Sequence, residues 1–208
     1  MNSSPHIATT LWLIRHGETA QSSRGRCYGS LDVALSAAGI VQVQAAAQRL
    51  GTQRLSGIHC SPRTRCRDSA EIIAAEQTCT VETVEDLAEL YFGDFEGRTY
   101  HEIAAEHPKL YAEWMANPTK VRFPGGESFS DMWTRVSAAV RKLRAAHAGS
   151  SFAIVAHGGV NRIILAEALG LPAENIFRIG QGYAALNLVK YYGDATVVEL
   201  MNDSARVT

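Results

Sequence analysis

Apolar positions along this chain come in short continuous blocks or at helical spacing, each block closed by polar residues. Leu11-Trp12-Leu13-Ile14 breaks into Arg15-His16-Gly17-Glu18, the pattern of a buried strand that ends in a loop. Ser36 then stands where a helix N-cap belongs, Ile40, Val43, Ala47 and Leu50 recur on one face, and Gly51 supplies the stop. Gly57-Ile58-His59-Cys60 predicts a second strand, running into Ser61-Pro62 as a helix start with proline in the first position. That helix continues through Ile72 and Ile73, and Val81 to Val84 predicts a third strand. After an aromatic, glycine-bearing loop at Tyr91–Gly97, helical patterns resume over Glu102–Ala116 with a break near Pro108. A turn-rich stretch, Asn117–Gly126, precedes the longest predicted helix, Ser128 to His147, where Trp133, Val136, Val140 and Leu143 share a face. Phe152–Ala156 is the clearest buried strand; it ends at His157-Gly158-Gly159, before a helix from about Val160 to Leu169. Tyr183–Tyr192 and Thr196–Met201 flank Gly193-Asp194 as a hairpin.

Strands alternating with helices predict an α/β fold, a three-layer sandwich with a mostly parallel central sheet and a C-terminal hairpin. Residues at about 87–127 depart from that rhythm and are expected to form a lid-like helical insertion lying over the sheet edge. No internal repeat divides the chain, so residues 1–208 read as one domain. The size agrees: 208 residues, 46% hydrophobic and 20% charged, suffice for one sizeable core. Twenty basic against 21 acidic residues leave a net charge of −1, so nucleic acid and anionic membranes are not expected partners. An anion site must then come from a local cluster of cations. The longest apolar runs are strand-sized, and Met1–Thr10 lacks the basic and apolar regions of a secretory signal, so a cytoplasmic protein without a membrane span is expected. Cys27, Cys60, Cys66 and Cys79 form no CxxC pair and no zinc-ligand spacing; reduced thiols, and neither metal nor cofactor, are expected.

Two predicted strands end in a histidine followed by glycine, at His16-Gly17 and His157-Gly158. In an open α/β sheet ligands gather beyond the carboxyl ends of the strands, so imidazoles 141 positions apart can face one crevice. Arg15 adjoins the first histidine. Arg63 and Arg65 fall at a helix start, an unfavourable place for cations unless an anion is bound there with the backbone N–H groups. On spacing alone, a solvated face of Arg63, Arg65 and Arg67 explains the same pattern.

Leu13-Ile14-Arg15-His16-Gly17-Glu18-Thr19 resembles the signature of the histidine phosphatase superfamily, and further blocks follow in that family's order. These are Tyr28-Gly29-Ser30-Leu31-Asp32 with Leu35–Gly39, Ser61-Pro62-Arg63-Thr64-Arg65, Leu87–Leu90 with Gly93–Gly97, Phe123–Ser128, and Val155–Gly159. The resemblance covers roughly Thr10 to Asn202. It implies that His16 takes the phosphoryl group on a ring nitrogen, that Arg15, Arg65 and His157 hold its oxygens, and that Glu89 gives a proton to the leaving oxygen. Gly17, Ser22 and Gly158 are implied to touch substrate, and Arg63 to be a rim contact only. Such chemistry needs cations and oriented N–H donors around three equatorial oxygens and an unprotonated imidazole. No step requires a metal.

Two positions depart from the family pattern: Ser22 stands where asparagine is common, and Ala34 where proline is usual. The compact insertion is expected to favour hydrolysis of the phosphohistidine over mutase chemistry. The 90–97 loop and Arg178–Tyr183 look most like α-ribazole phosphatases, so the expected partner is a small-molecule phosphomonoester such as α-ribazole 5′-phosphate. A phosphoserine or broad sugar-phosphate phosphatase is the alternative, then a phosphoglycerate mutase, and last an inactive binding module. Lys120, Arg122 and the aromatic residues of the insertion are open candidates for substrate contact, and a homodimer stays open.

Overall fold

The structure, a computed structural model, describes residues 8–20 and 25–204. Six strands form one sheet: β1 (Thr9–Arg15), β2 (Ile58–Cys60), β3 (Val81–Thr83), β4 (Ser151–Ala156), β5 (Leu186–Tyr192) and β6 (Ala195–Asp203). Their spatial order is β3-β2-β4-β1-β5-β6; the first four run parallel, and β5 and β6 add the antiparallel hairpin at one edge.

The two-residue period of the buried strands divides the core. Leu11 and Leu13 of β1, with Phe152, Ile154 and Ala156 of β4, face one side. Ile14, Ala153 and Val155 face the other, against α1 (Ala37–Leu50) and α2 (Thr64–Ala74). The first side is covered by α5 (Phe129–Ala146) and α6 (Gly158–Leu169), which completes the three layers. The insertion, with α3 (Tyr100–Glu106) and α4 (Pro108–Ala116), packs on that same side. Its Leu90, Phe95, Ile103, Trp114 and Phe123 share a cluster with Leu11, Leu13 and the α5 and α6 side chains, which places it on the α5–α6 side of the sheet.

Several boundaries shift for identifiable reasons. α2 begins at Thr64 instead of Ser61-Pro62 because Asp32 accepts the Thr64 N–H at 2.7 Å and its hydroxyl at 2.5 Å, capping the helix from another loop. α6 begins at Gly158, directly after β4 and without the expected loop. β5 begins at Leu186, since residues 183–185 turn through Ala184 at φ +51°. Ile40 is 41% exposed: the first turn of α1 presents Gly39 inward, where its backbone packs against Gly17 and Glu18. The hairpin turn, the break at Pro108 and both capping residues of α5 fall where the sequence puts them. Among the described residues no helix is long and apolar enough to cross a membrane.

Candidate active site

β1 and β4 are neighbours with Arg15 opposite Ala156, so the next residue of each strand, His16 and His157, emerges at the same carboxyl edge. The His16 N–H donates to Ala156 O at 3.0 Å, and the two rings stand 5.3 Å apart, edge to face. Sheet register thus joins residues 141 positions apart. Arg65 enters from the first turn of α2 and Glu89 from the segment after β3. Arg15, His16, Arg65, Glu89 and His157 line one cavity of about 220 Å³, with Arg26 and Tyr28 among its other walls.

Local bonds set the protonation of the histidines. His16 Nδ1 lies 2.7 Å from Gly17 O, a bond that requires a proton on Nδ1 and leaves the lone pair on Nε2. Burial, reinforced by the charges of Arg15 and Arg65, holds His16 well below the usual imidazole pKa. His157 is lowered in the same way, by burial and then by Arg65, His16, Arg15 and Arg63; its Nε2 sits 2.7 Å from Ser61 Oγ. Two uncharged imidazoles therefore share the cavity with the guanidinium groups of Arg15, Arg26 and Arg65.

The guanidinium groups are held from behind. Arg65 is fully buried and donates to Leu31 O at 2.8 Å and Gly29 O at 2.9 Å. That loop is gripped on its other side by Glu96, whose carboxylate accepts the N–H groups of Gly29, Ser30, Leu31 and Phe92. Arg15 donates to Gln181 O and lies 4.2 Å over the Tyr183 ring, which also packs 5.8 Å from His16. The left-handed turn at Ala184 lets its N–H reach His16 O at 3.1 Å and Ala185 O accept from the Arg15 N–H at 3.2 Å. Nε of both Arg15 and Arg65 is buried without a hydrogen-bond partner among the described residues.

Glu89 hangs its carboxylate between two backbone donors, Leu90 N–H to Oε1 at 3.0 Å and Gly159 N–H to Oε2 at 3.0 Å. A side chain on Gly159 would collide with Oε1, so the carboxylate can come this close to the start of α6 only because that residue is glycine. Glu89, Phe92 and Tyr100 also line a second, larger cavity of about 490 Å³, whose walls include Tyr111, Trp114 and Phe177. Arg162, with Nε bonded to Ile179 O at 2.9 Å, is the one cation lining it among the described residues.

The other residues singled out in the sequence fall as follows. Gly17 is not among the residues lining the smaller cavity: its N–H donates to Ser69 Oγ at 3.3 Å, its carbonyl orients His16, and a side chain there would strike Gly39 O. Gly158 opens α6 beside Arg15 and likewise lies behind the lining residues. Ser22 lies outside the described residues. Arg63 lines an adjoining cleft with Glu85, Glu89, Glu127 and Arg135, and Arg122 pairs with Asp131. Lys120 lines neither of the two cavities. Trp114 is both packing and wall: it is buried, with Phe92, Tyr111 and Phe123 around it, and one side faces the larger cavity. Sequence reasoning missed the roles of Ser61, Gly159 and Tyr183. All three stand in stretches that carry the family resemblance, but no local pattern places Tyr183 against His16.

A family model described as "Histidine phosphatase superfamily (branch 1)" matches residues 11–204. The chain is 36% identical over 182 residues to "Phosphoglycerate mutase-like protein 4" of Arabidopsis thaliana, covering 82% of this chain and 79% of that protein. It is 28% identical over 191 residues to "Adenosylcobalamin/alpha-ribazole phosphatase" of Escherichia coli K12, covering 90% and 94% respectively. Against mycobacterial relatives at 32% identity it spans about half of their length, 54%. The solved structure titled "Bacillus stearothermophilus YhfR" superposes with a TM-score of 0.91 at 27% identity, covering 97% of this chain and 100% of that one.

Proposed function

The chain belongs to the histidine phosphatase superfamily and is a phosphatase, and from that premise we propose that it hydrolyses phosphomonoesters through a phosphohistidine on His16, with α-ribazole 5′-phosphate as substrate. The observation that carries this reading is the adjacency of the two cavities, cationic at the strand ends and aromatic under the insertion, with Glu89, Phe92 and Tyr100 lining both.

In the first step the lone pair of His16 Nε2 forms a bond to phosphorus while the ester P–O bond breaks. Glu89 hands a proton to the departing oxygen. Arg15 and Arg65, which line the cationic cavity, meet the charge on the equatorial oxygens, with His157 as a further contact. In the second step water attacks phosphorus, the Glu89 carboxylate accepts its proton, and the P–N electron pair returns to Nε2. Because burial keeps His16 unprotonated below the usual imidazole pKa, the nucleophile stays available as the pH falls. The chain's own groups supply every role, so activity is expected to withstand EDTA.

The aromatic cavity favours a leaving group with a flat apolar ring, such as the base of α-ribazole, because aromatic walls reward stacking. Phosphoserine would bring an ammonium and a carboxylate to walls that offer only Arg162 and Glu89 as charged groups among the described residues. A panel of phosphorylated metabolites assayed for kcat/KM with EDTA present tests the reading. The highest value is expected for α-ribazole 5′-phosphate. A higher value for phosphoserine or a sugar phosphate, or interconversion of phosphoglycerates faster than their hydrolysis, would overturn it.

A further inference from the structure

Glu89 is carried by a stretch with little regular structure, following the single 3-10 turn Glu85–Leu87. No strand ladder donates to the carbonyls of Asp86, Ala88 and Glu89, and Arg135 of α5 supplies the donors instead. Nη1 of Arg135 donates to Asp86 O at 2.8 Å and Ala88 O at 2.7 Å, and Nη2 donates to Glu89 O at 3.1 Å. The opposite edge of the guanidinium meets Glu127, with Nε to Oε2 at 3.1 Å and Nη2 to Oε1 at 2.6 Å. Guanidinium has five N–H donors in a fixed plane, and five bonds use them. Glu127 extends the grip beyond Glu89: its Oε1 accepts from Tyr91 N–H and its own N–H donates to Tyr91 O, both at 3.0 Å. The main chain is thus fastened at residues 86, 88, 89 and 91, on both sides of the carboxylate that borders the two cavities.

We propose that Arg135, held by Glu127, is a positioning residue for proton transfer by Glu89. It fixes the backbone from which the carboxyl reaches the leaving oxygen and touches neither substrate nor phosphorus. The proposal rests on the reading of Glu89 as the proton donor. Lysine at position 135 keeps the charge but has a single, compact group of donors, so it cannot gather three carbonyls and a carboxylate in one plane. A small displacement of a general acid is enough to lower its contribution, which is typically about 10²–10⁴-fold.

The discriminating readout is the leaving group. Phenethyl phosphate and p-nitrophenyl phosphate both bring an aromatic ring, but phenethyl alkoxide leaves only with a proton, whereas p-nitrophenolate leaves without one. The quantity to follow is the ratio of kcat/KM for the first substrate over the second. Glu89→Gln is expected to lower that ratio by about 10²-fold and Arg135→Lys by about tenfold, with no further drop when the two are combined. A merely structural Arg135 would lose both activities in proportion and leave the ratio unchanged, which overturns the proposal while the Glu89 assignment stands. An unchanged ratio in Glu89→Gln removes the assignment and the proposal together. Should Arg135→Lys fail to fold, Glu127→Gln, which spares the three carbonyl bonds, is expected to lower the ratio about threefold, and an unchanged ratio there overturns the proposal.

Discussion

The cationic cavity and the aromatic cavity share Glu89, Phe92 and Tyr100, yet they are built by opposite means. The cationic one is assembled by regular structure: two parallel strands in register deliver His16 and His157, and a helix start delivers Arg65. The aromatic one takes Phe129 and Met132 from α5 and Gly159 and Arg162 from α6, and its other walls come from loops and short helices outside the sheet. There Arg135 gathers backbone carbonyls; on the cationic side Glu96 gathers N–H donors of the loop that holds Arg65. The contrast implies that the phosphoryl chemistry is tied to the fold itself, whereas the leaving-group side can change shape and substrate without disturbing it.

The sharpest way to break this comparison is to remove the nucleophile. His16→Ala is expected to lower kcat/KM by more than about 10⁴-fold for every phosphomonoester, with the circular dichroism of a folded chain retained. Turnover within tenfold of the parent would remove the covalent route. Next comes Arg65→Ala, with an expected loss of about 10²–10³-fold, equivalent to about 3–4 kcal/mol in the barrier and similar for alkyl and aryl esters. Unchanged kcat/KM would show that another cation holds the phosphoryl group.

A third test uses pH on the cationic side. Folding keeps His16 and His157 unprotonated below the usual imidazole pKa, so the unfolded chain binds more protons as pH falls from about 6.5. Their stabilisation is complete above that pH and is lost progressively toward their folded pKa values, so Tm is expected to decline on acidification. Replacing both by asparagine should flatten that decline, and an equally steep curve in the double variant would contradict the assignment. The smallest effect belongs to the aromatic side: Phe177, 52% exposed, forms one wall. Phe177→Ala is expected to raise KM for phenethyl phosphate about fivefold, the counterpart of about 1 kcal/mol in ring packing, and to leave methyl phosphate unaffected. Equal changes for both esters would place the leaving group outside that cavity.

The same division explains what could be read in the sequence. The buried strands of the cationic side announce themselves as continuous apolar blocks ending in Arg15-His16 and His157, so the sheet and the meeting of the two imidazoles follow from pattern and topology. Helix starts were less legible. Asp32 caps α2 from a distant loop, and no local signal shows that Thr64, rather than Ser61-Pro62, begins the helix. The aromatic side was legible as composition and not as geometry: Tyr111 and Trp114 at helical spacing read equally as core or as wall, and the structure makes Trp114 both. Long-range clamps such as Glu96 on residues 29–31 leave no periodic trace, because they join a side chain to backbone groups more than 60 positions away.

Covalent transfer to His16 Nε2 is tested most directly by trapping the enzyme during turnover of excess p-nitrophenyl phosphate with alkali, in which phosphohistidine survives, and mapping the phosphoryl group by mass spectrometry. One base-stable, acid-labile phosphoryl group on the peptide containing His16 is the expected result. A phosphoryl group found on His157 or on a hydroxyl side chain, with His16 unmodified, would contradict it.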